Sequence, residues 1–159
     1  MRLLNFLLLP LAAAASALPG LSGLWYQTFS SHFLQSSFEI DWKCVQVEVL
    51  PVEENSYQVF RTARLHGGPV IYRPPPATFE YVNSTLVSPP FVYDVHVISN
   101  KSTVVLTDEF QPFIYVFERN LSRRHSGAQI EKKLVQWGIE LNYDTSLVES
   151  YDPDNCTPQ

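Results

Sequence analysis

The chain has 159 residues, a length for one domain, and carries 16 acidic against 11 basic side chains for a formal net charge of −5. That balance removes any electrostatic claim on nucleic acid or on anionic lipid headgroups. Aromatics at 13% against charged residues at 17% leave enough apolar side chains for a sizeable interior.

The first residues, "MRLLNFLLLPLAAAASALPG", place a cation at Arg2, an apolar run from Leu3 to Ala15 and small residues at Ala15 and Ala17. Charge, apolar stretch and small-residue site in that order form a secretory signal peptide over 1–17, with cleavage expected after Ala17. The run is too short for a membrane span, and Pro10 interrupts it. No later segment is apolar enough, so stable membrane insertion is not expected. Residues 18–159 would then form one mature domain, and loss of Arg2 leaves it more acidic still.

From Leu21 to Arg119 nearly everything reads as strand. In "GLSGLWYQTFS" the two-residue period puts Gly23, Trp25, Gln27 and Phe29 on one face. A glycine beside a large aromatic marks a close approach of two backbones, although this stretch alone also suits a core tryptophan on an ordinary strand. "DWKCVQVEVLPV" alternates strictly, with Val45, Val47 and Val49 on one face and Cys44, Gln46 and Glu48 on the other. "ENS" turns the chain into "SYQVFRTARL", and "GG" turns it again into "PVIY". "RPPPA" separates that short strand from "TFEYV", because proline cannot sit in a central ladder. "SPP" introduces "FVYDVHVI", "SNKS" links it to "TVVLTDEF", and Pro112 marks a turn into "FIYVFER". These are eight candidate strands with mostly short connections.

A helical period follows. In "SGAQIEKKLVQWGIEL" the residues Ile130, Leu134, Trp137 and Leu141 form one apolar stripe, which predicts a helix over about 126–141 capped by Ser126. The basic cluster "RRH" at 123–125 just before it reads as a solvated loop. The tail over 142–159 holds one short possible strand in "TSLVESYDPDNCTPQ".

Cys44 and Cys156 are the only cysteines, and in an oxidising compartment they most simply form one bridge. None of the histidines lies near either of them, so no metal site is expected. Asn83, Asn100 and Asn120 head N-x-S/T sequons and are candidate glycan acceptors. Asn155 fits the rule too, but its neighbour Cys156 can be tied down first.

The pattern points to an all-β fold, an eight-stranded antiparallel up-and-down barrel over about 21–119 with one helix packed outside. A two-sheet sandwich with a helix across one end is the alternative. "FIYVFER" favours the barrel. Phe113, Tyr115 and Phe117 share one face and Ile114 and Val116 the other, so one side can meet an interior and the other a helix.

At this point the chain resembles a lipocalin, most closely the apolipoprotein D-like group, over nearly the whole of residues 18–159. "GLSGLWYQTF" resembles the first family motif, with Gly23 and Trp25 as its G-x-W. "KCVQVEV" resembles the second strand of that group, whose cysteine is bridged to the tail, and "DNCTPQ" supplies the partner. "FIYVFERNLS" resembles the last barrel strand, with Arg119 at the arginine that family members pack across the tryptophan. The resemblance implies that Trp25 plugs the closed end of a cup beneath Arg119, with Gly23 beside it. One motif departs. Where the family has T-D-Y at the end of the sixth strand, this chain reads Ile98-Ser99-Asn100, and "TDE" at 107–109 falls one strand late.

Parity then names a pocket lining of Phe29, Val45, Val47, Val49, Phe79, Tyr93, Val95 and Tyr115, with Phe91 and Val97 on the same face as Tyr93. Such a lining is an apolar cup with phenol hydroxyls as its few polar handles. The same side chains can also fill a solid core, and the family resemblance favours a cavity. Asp94 and His96 lie two apart on one strand face, but that face is the outer one, where they would be solvated. No G-x-S-x-G, H-E-x-x-H or spare cysteine is present, so no enzyme and no cofactor chemistry is expected. The reading is a secreted carrier of a small hydrophobic ligand of the lipid, sterol, retinoid or tetrapyrrole class. The alternative is a secreted interaction protein whose barrel is a scaffold for loops such as "HGGPVIYRPPPA".

Overall fold

The computed structural model describes residues 20–66, 68–99, 102–110 and 112–156. The expected signal peptide and the sequon residue Asn100 lie outside them. Strand β1 (Gly23–Ser31) is followed by a short helix α1 (His32–Ser37), then by β2 (Trp42–Glu53) and β3 (Ser56–Leu65). The chain continues through β4 (Ile71–Tyr72), β5 (Ala77–Val82), β6 (Thr85–Ser88), β7 (Phe91–Ile98), β8 (Thr103–Thr107) and β9 (Ile114–Glu118). A 3-10 turn (Leu121–Arg123), helix α2 (Gly127–Gln136) and β10 (Leu147–Glu149) complete it.

Eight of these strands close an antiparallel barrel in the order β1-β2-β3-β5-β6-β7-β8-β9, and β9 returns to β1 through pairs such as Tyr26 with Glu118 and Ser30 with Tyr115. Closure leaves no free edge along this path. Two strands lie off it. β4 pairs only with β3, and β10 adds to the outside of β1.

The eighth stave is not the one read from the sequence. "PVIY" contributes only Ile71 and Tyr72, bounded by proline on both sides, and stays off the barrel path. Its place is taken by β6, "TLVS", which returns from β5 through the turn residues Asn83 and Ser84, both at positive φ (49° and 66°). Helix α1 was not expected from the sequence. Helix α2 is shorter than its apolar stripe. Gly138 at φ 82° follows the C-terminal residue Trp137, so Leu141 lies beyond the helix and is exposed. At the other end Ser126 caps α2 and exchanges a capping box with Gln129.

The two apolar faces of β9 serve the two sides as expected. Ile114 and Val116 pack with Ile130 and Leu134 of α2, while Tyr115 and Phe117 pack on the cluster inside the barrel. Phe29 departs from parity. The β1–β9 register shifts between Gln27 and Phe29, and this bulge turns Phe29 to the helix side, against the Cα of Gly127. His96 is not solvated either. Its ring stacks on Trp137 at 4.2 Å, and Nε2 lies 3.0 Å from the Thr107 hydroxyl.

A disulfide joins Cys44 to Cys156 and straps the tail to β2. Around it Tyr151 is fully buried, edge-on to Tyr26 with ring centroids 5.0 Å apart, and the Cys44 N–H donates to the Ser150 carbonyl at 2.8 Å.

Candidate binding cavity

Trp25 is buried at one end of the barrel, and its Nε1–H donates to the Leu21 carbonyl at 2.7 Å. The Arg119 guanidinium lies 4.0 Å over the ring and donates to the carbonyls of Gly20 and Ser22. Gly23 must be glycine here. Its φ is 107°, and an added Cβ would sit 3.0 Å from Arg119 Nη1. Near this end, where the T-D-Y motif is absent, the buried Glu118 carboxylate accepts from the His125 backbone N–H at 2.7 Å. It also lies 2.9 Å from His125 Nδ1 and 3.3 Å from the Thr103 hydroxyl. His125 Nε2 in turn meets the Ser99 hydroxyl at 3.2 Å, so this cluster ties the approach to α2 to the ends of β7, β8 and β9.

Above Trp25 the barrel is hollow. A cavity of about 370 Å³ is lined by Trp25, Val47, Val49, Tyr57, Val59, Phe79, Leu86, Phe91, Tyr93, Val104, Leu106, Tyr115 and Phe117. At the far end Leu34 of α1 and the following Phe38 reach the same space, with Phe38 edge-on to Phe113 at 5.4 Å. Five residues expected at the lining are on it: Val47, Val49, Phe79, Tyr93 and Tyr115. Val45 is fully buried and Val95 partly so in the inner cluster, but neither borders the hollow. Phe29 is on the other side of the wall, and Val97 is 42% exposed.

The polar corner was missed. Arg61 lines the cavity from β3, on the parity of Tyr57, Val59 and Ala63. It pairs with the Glu39 carboxylate and donates to Gln27 Oε1 at 3.0 Å. Gln27 Nε2 donates back to Glu39 Oε2 at 2.7 Å, and Gln35 Nε2 lies 3.4 Å from that same oxygen. Gln27 and Glu39 are 0% and 1% exposed and the Arg61 side chain 24%, so the carboxylate is the buried member of the pair. Gln35 also donates to Ser30 Oγ at 3.0 Å, and Ser30 meets Ser150, which links the corner to the tail strap. The guanidinium lies 4.8 Å from the Trp42 ring centroid and 5.5 Å from that of Tyr115. Burial pushes the phenols of Tyr115 and Tyr93 above their ordinary range and lowers Arg61 from its own. Both phenols therefore remain neutral hydrogen-bond donors. A charged residue on an otherwise apolar strand face was the signal available in "SYQVFRTARL". Among the described residues no group of three or more His, Cys, Asp or Glu side chains is placed to hold a metal ion.

No protein-family model matches the sequence, and no curated protein matches it. Solved structures do. Ex-FABP, a siderocalin with dual ligand specificities, is 15% identical with a TM-score of 0.56, over 82% of this chain and 93% of that one. Insecticyanin from the tobacco hornworm Manduca sexta is 10% identical with a TM-score of 0.57, over 85% and 80%. Japanin from Rhipicephalus appendiculatus, bound to cholesterol, is 12% identical with a TM-score of 0.50, over 80% and 91%. At these identities the shared property is the fold. With its closed eight-stranded barrel, outer helix and Trp25–Arg119 plug, the chain has the lipocalin fold.

Proposed function

We propose that this protein is a secreted carrier that holds one small hydrophobic molecule inside its barrel. The observation that carries the reading is the hollow itself: about 370 Å³ of space bounded by aliphatic and aromatic walls with few polar groups. A side-chain-filled barrel would leave no such space. The Cys44–Cys156 bridge agrees with an oxidising compartment and with the bridged second strand of apolipoprotein D-like lipocalins. Asn83 and Asn120 are exposed, as glycan acceptors must be, and Asn100 is retained on its sequon.

Titration with an uncharged fluorescent naphthylamine dye tests the reading. The dye should bind with one site per chain, and Tyr115→Asp should weaken it by placing a charge among apolar walls. A folded protein that binds no apolar dye refutes the carrier and leaves the scaffold reading, in which exposed Val70, Ile71 and Tyr72 of the β3–β5 connection meet a partner.

A further inference from the structure

Of the polar groups on the cavity wall, Arg61 is charged, and its charge is already spent. Glu39 faces it as a buried counter-ion and is itself held by Gln27 of β1 and Gln35 of α1, so it has no inexpensive way to swing aside. Arg61 Nη2 serves both Glu39 and Gln27, and its Nε–H is buried away from solvent and from the hollow alike. The phenols of Tyr93 and Tyr115 nearby add neutral donors and no charge.

We propose that the cavity selects an apolar molecule whose polar end is uncharged, a hydroxyl or a carbonyl, over the corresponding carboxylate, and that Glu39 sets this preference. The inference rests on the proposed carrier function and names its ligand class. With the Arg61–Glu39 pair in place the corner is electrically balanced. A hydroxyl or carbonyl leaves that balance intact. A carboxylate would leave one uncompensated negative charge in an apolar enclosure, with no second cation among the described lining residues to offset it. Removing the charge of Glu39 reverses the arithmetic, because Arg61 would then be the buried ion in need of a partner.

The test is displacement of the naphthylamine dye from the full chain by retinol and by retinoic acid, which differ only at the polar end. Wild type should prefer retinol by roughly tenfold or more, and Glu39→Gln should abolish or invert that ratio. Equal displacement, stronger displacement by retinoic acid, or displacement by neither from the wild type overturns the inference while leaving the carrier reading standing. Failure of the dye itself to bind overturns the carrier reading, and this inference with it. An unchanged ratio in a Glu39→Gln protein with a native far-UV spectrum removes Glu39 from its assigned role. The wild-type ratio decides the ligand class whether or not that variant folds.

Discussion

The Trp25–Arg119 plug gives the sharpest energetic test of the barrel's closed end. Trp25→Ala deletes a ring that is 3% exposed, which costs about 3–5 kcal/mol in transfer and cavity terms. The Leu21 carbonyl also loses its indole donor, worth about 1 kcal/mol more. Arg119→Ala removes a stacked cation and its packed stem, about 1–2 kcal/mol, since the carbonyls of Gly20 and Ser22 can return to water. Because the guanidinium lies 4.0 Å over the ring, each substitution removes part of what the other removes. The double variant should therefore fall short of the sum by roughly 0.5–1.5 kcal/mol. Urea unfolding with the disulfide intact, followed by far-UV circular dichroism so that loss of the tryptophan does not bias the signal, measures all four corners of the cycle. Additivity within about 0.3 kcal/mol would mean that the two side chains do not meet, and the register at the Trp25 end would be wrong.

Three further outcomes follow from the same geometry. Gly23→Ala should cost about 1 kcal/mol or more by urea midpoint, because the position sits at φ 107° with Arg119 Nη1 beside it. Replacing Cys44 and Cys156 together by serine opens a loop with a sequence separation of 112 and should cost about 4–5 kcal/mol by the loop-entropy argument; a loss below about 1 kcal/mol would show that the tail holds β2 unaided. The Tyr115 phenol, raised by burial, binds its proton more tightly in the folded than in the unfolded chain. Stability should therefore hold below the ordinary tyrosine range, at about pH 10, and fall as pH rises above it. Tyr115→Phe should flatten that fall in pH-dependent unfolding.

The alternating strands were the legible part of the fold. Val45, Val47 and Val49 on one side of Cys44, and the doubly apolar "FIYVFER", record burial directly in the residue pattern, and their placement matches it. β6 was not read because it is four residues long and carries no alternation; only the Asn83-Ser84 turn between β5 and β6 marked it. Phe29 was placed inside because parity was carried through a bulge, which inserts an extra residue without any signature in "YQTFS". The apolar part of the cavity was half visible. Residues such as Val47 and Tyr93 follow from alternation, but Leu34, Phe38 and Leu86 sit on elements that the sequence did not announce. The polar corner needs Gln27, Glu39 and Arg61 to meet from β1, the α1–β2 connection and β3. Long-range meetings of that kind are set by barrel closure and shear rather than by local pattern. Arg61 on the inward parity of β3 was the one local trace of it.

A vessel and a solid core differ in what the purified protein carries. Native mass spectrometry of the protein purified from its own source, followed by solvent extraction, asks this directly. One non-covalent small molecule per chain is expected, apolar along its length and uncharged at its polar end, released on unfolding. A folded chain that carries no such molecule, and that takes up no apolar dye when offered one, would contradict that expectation.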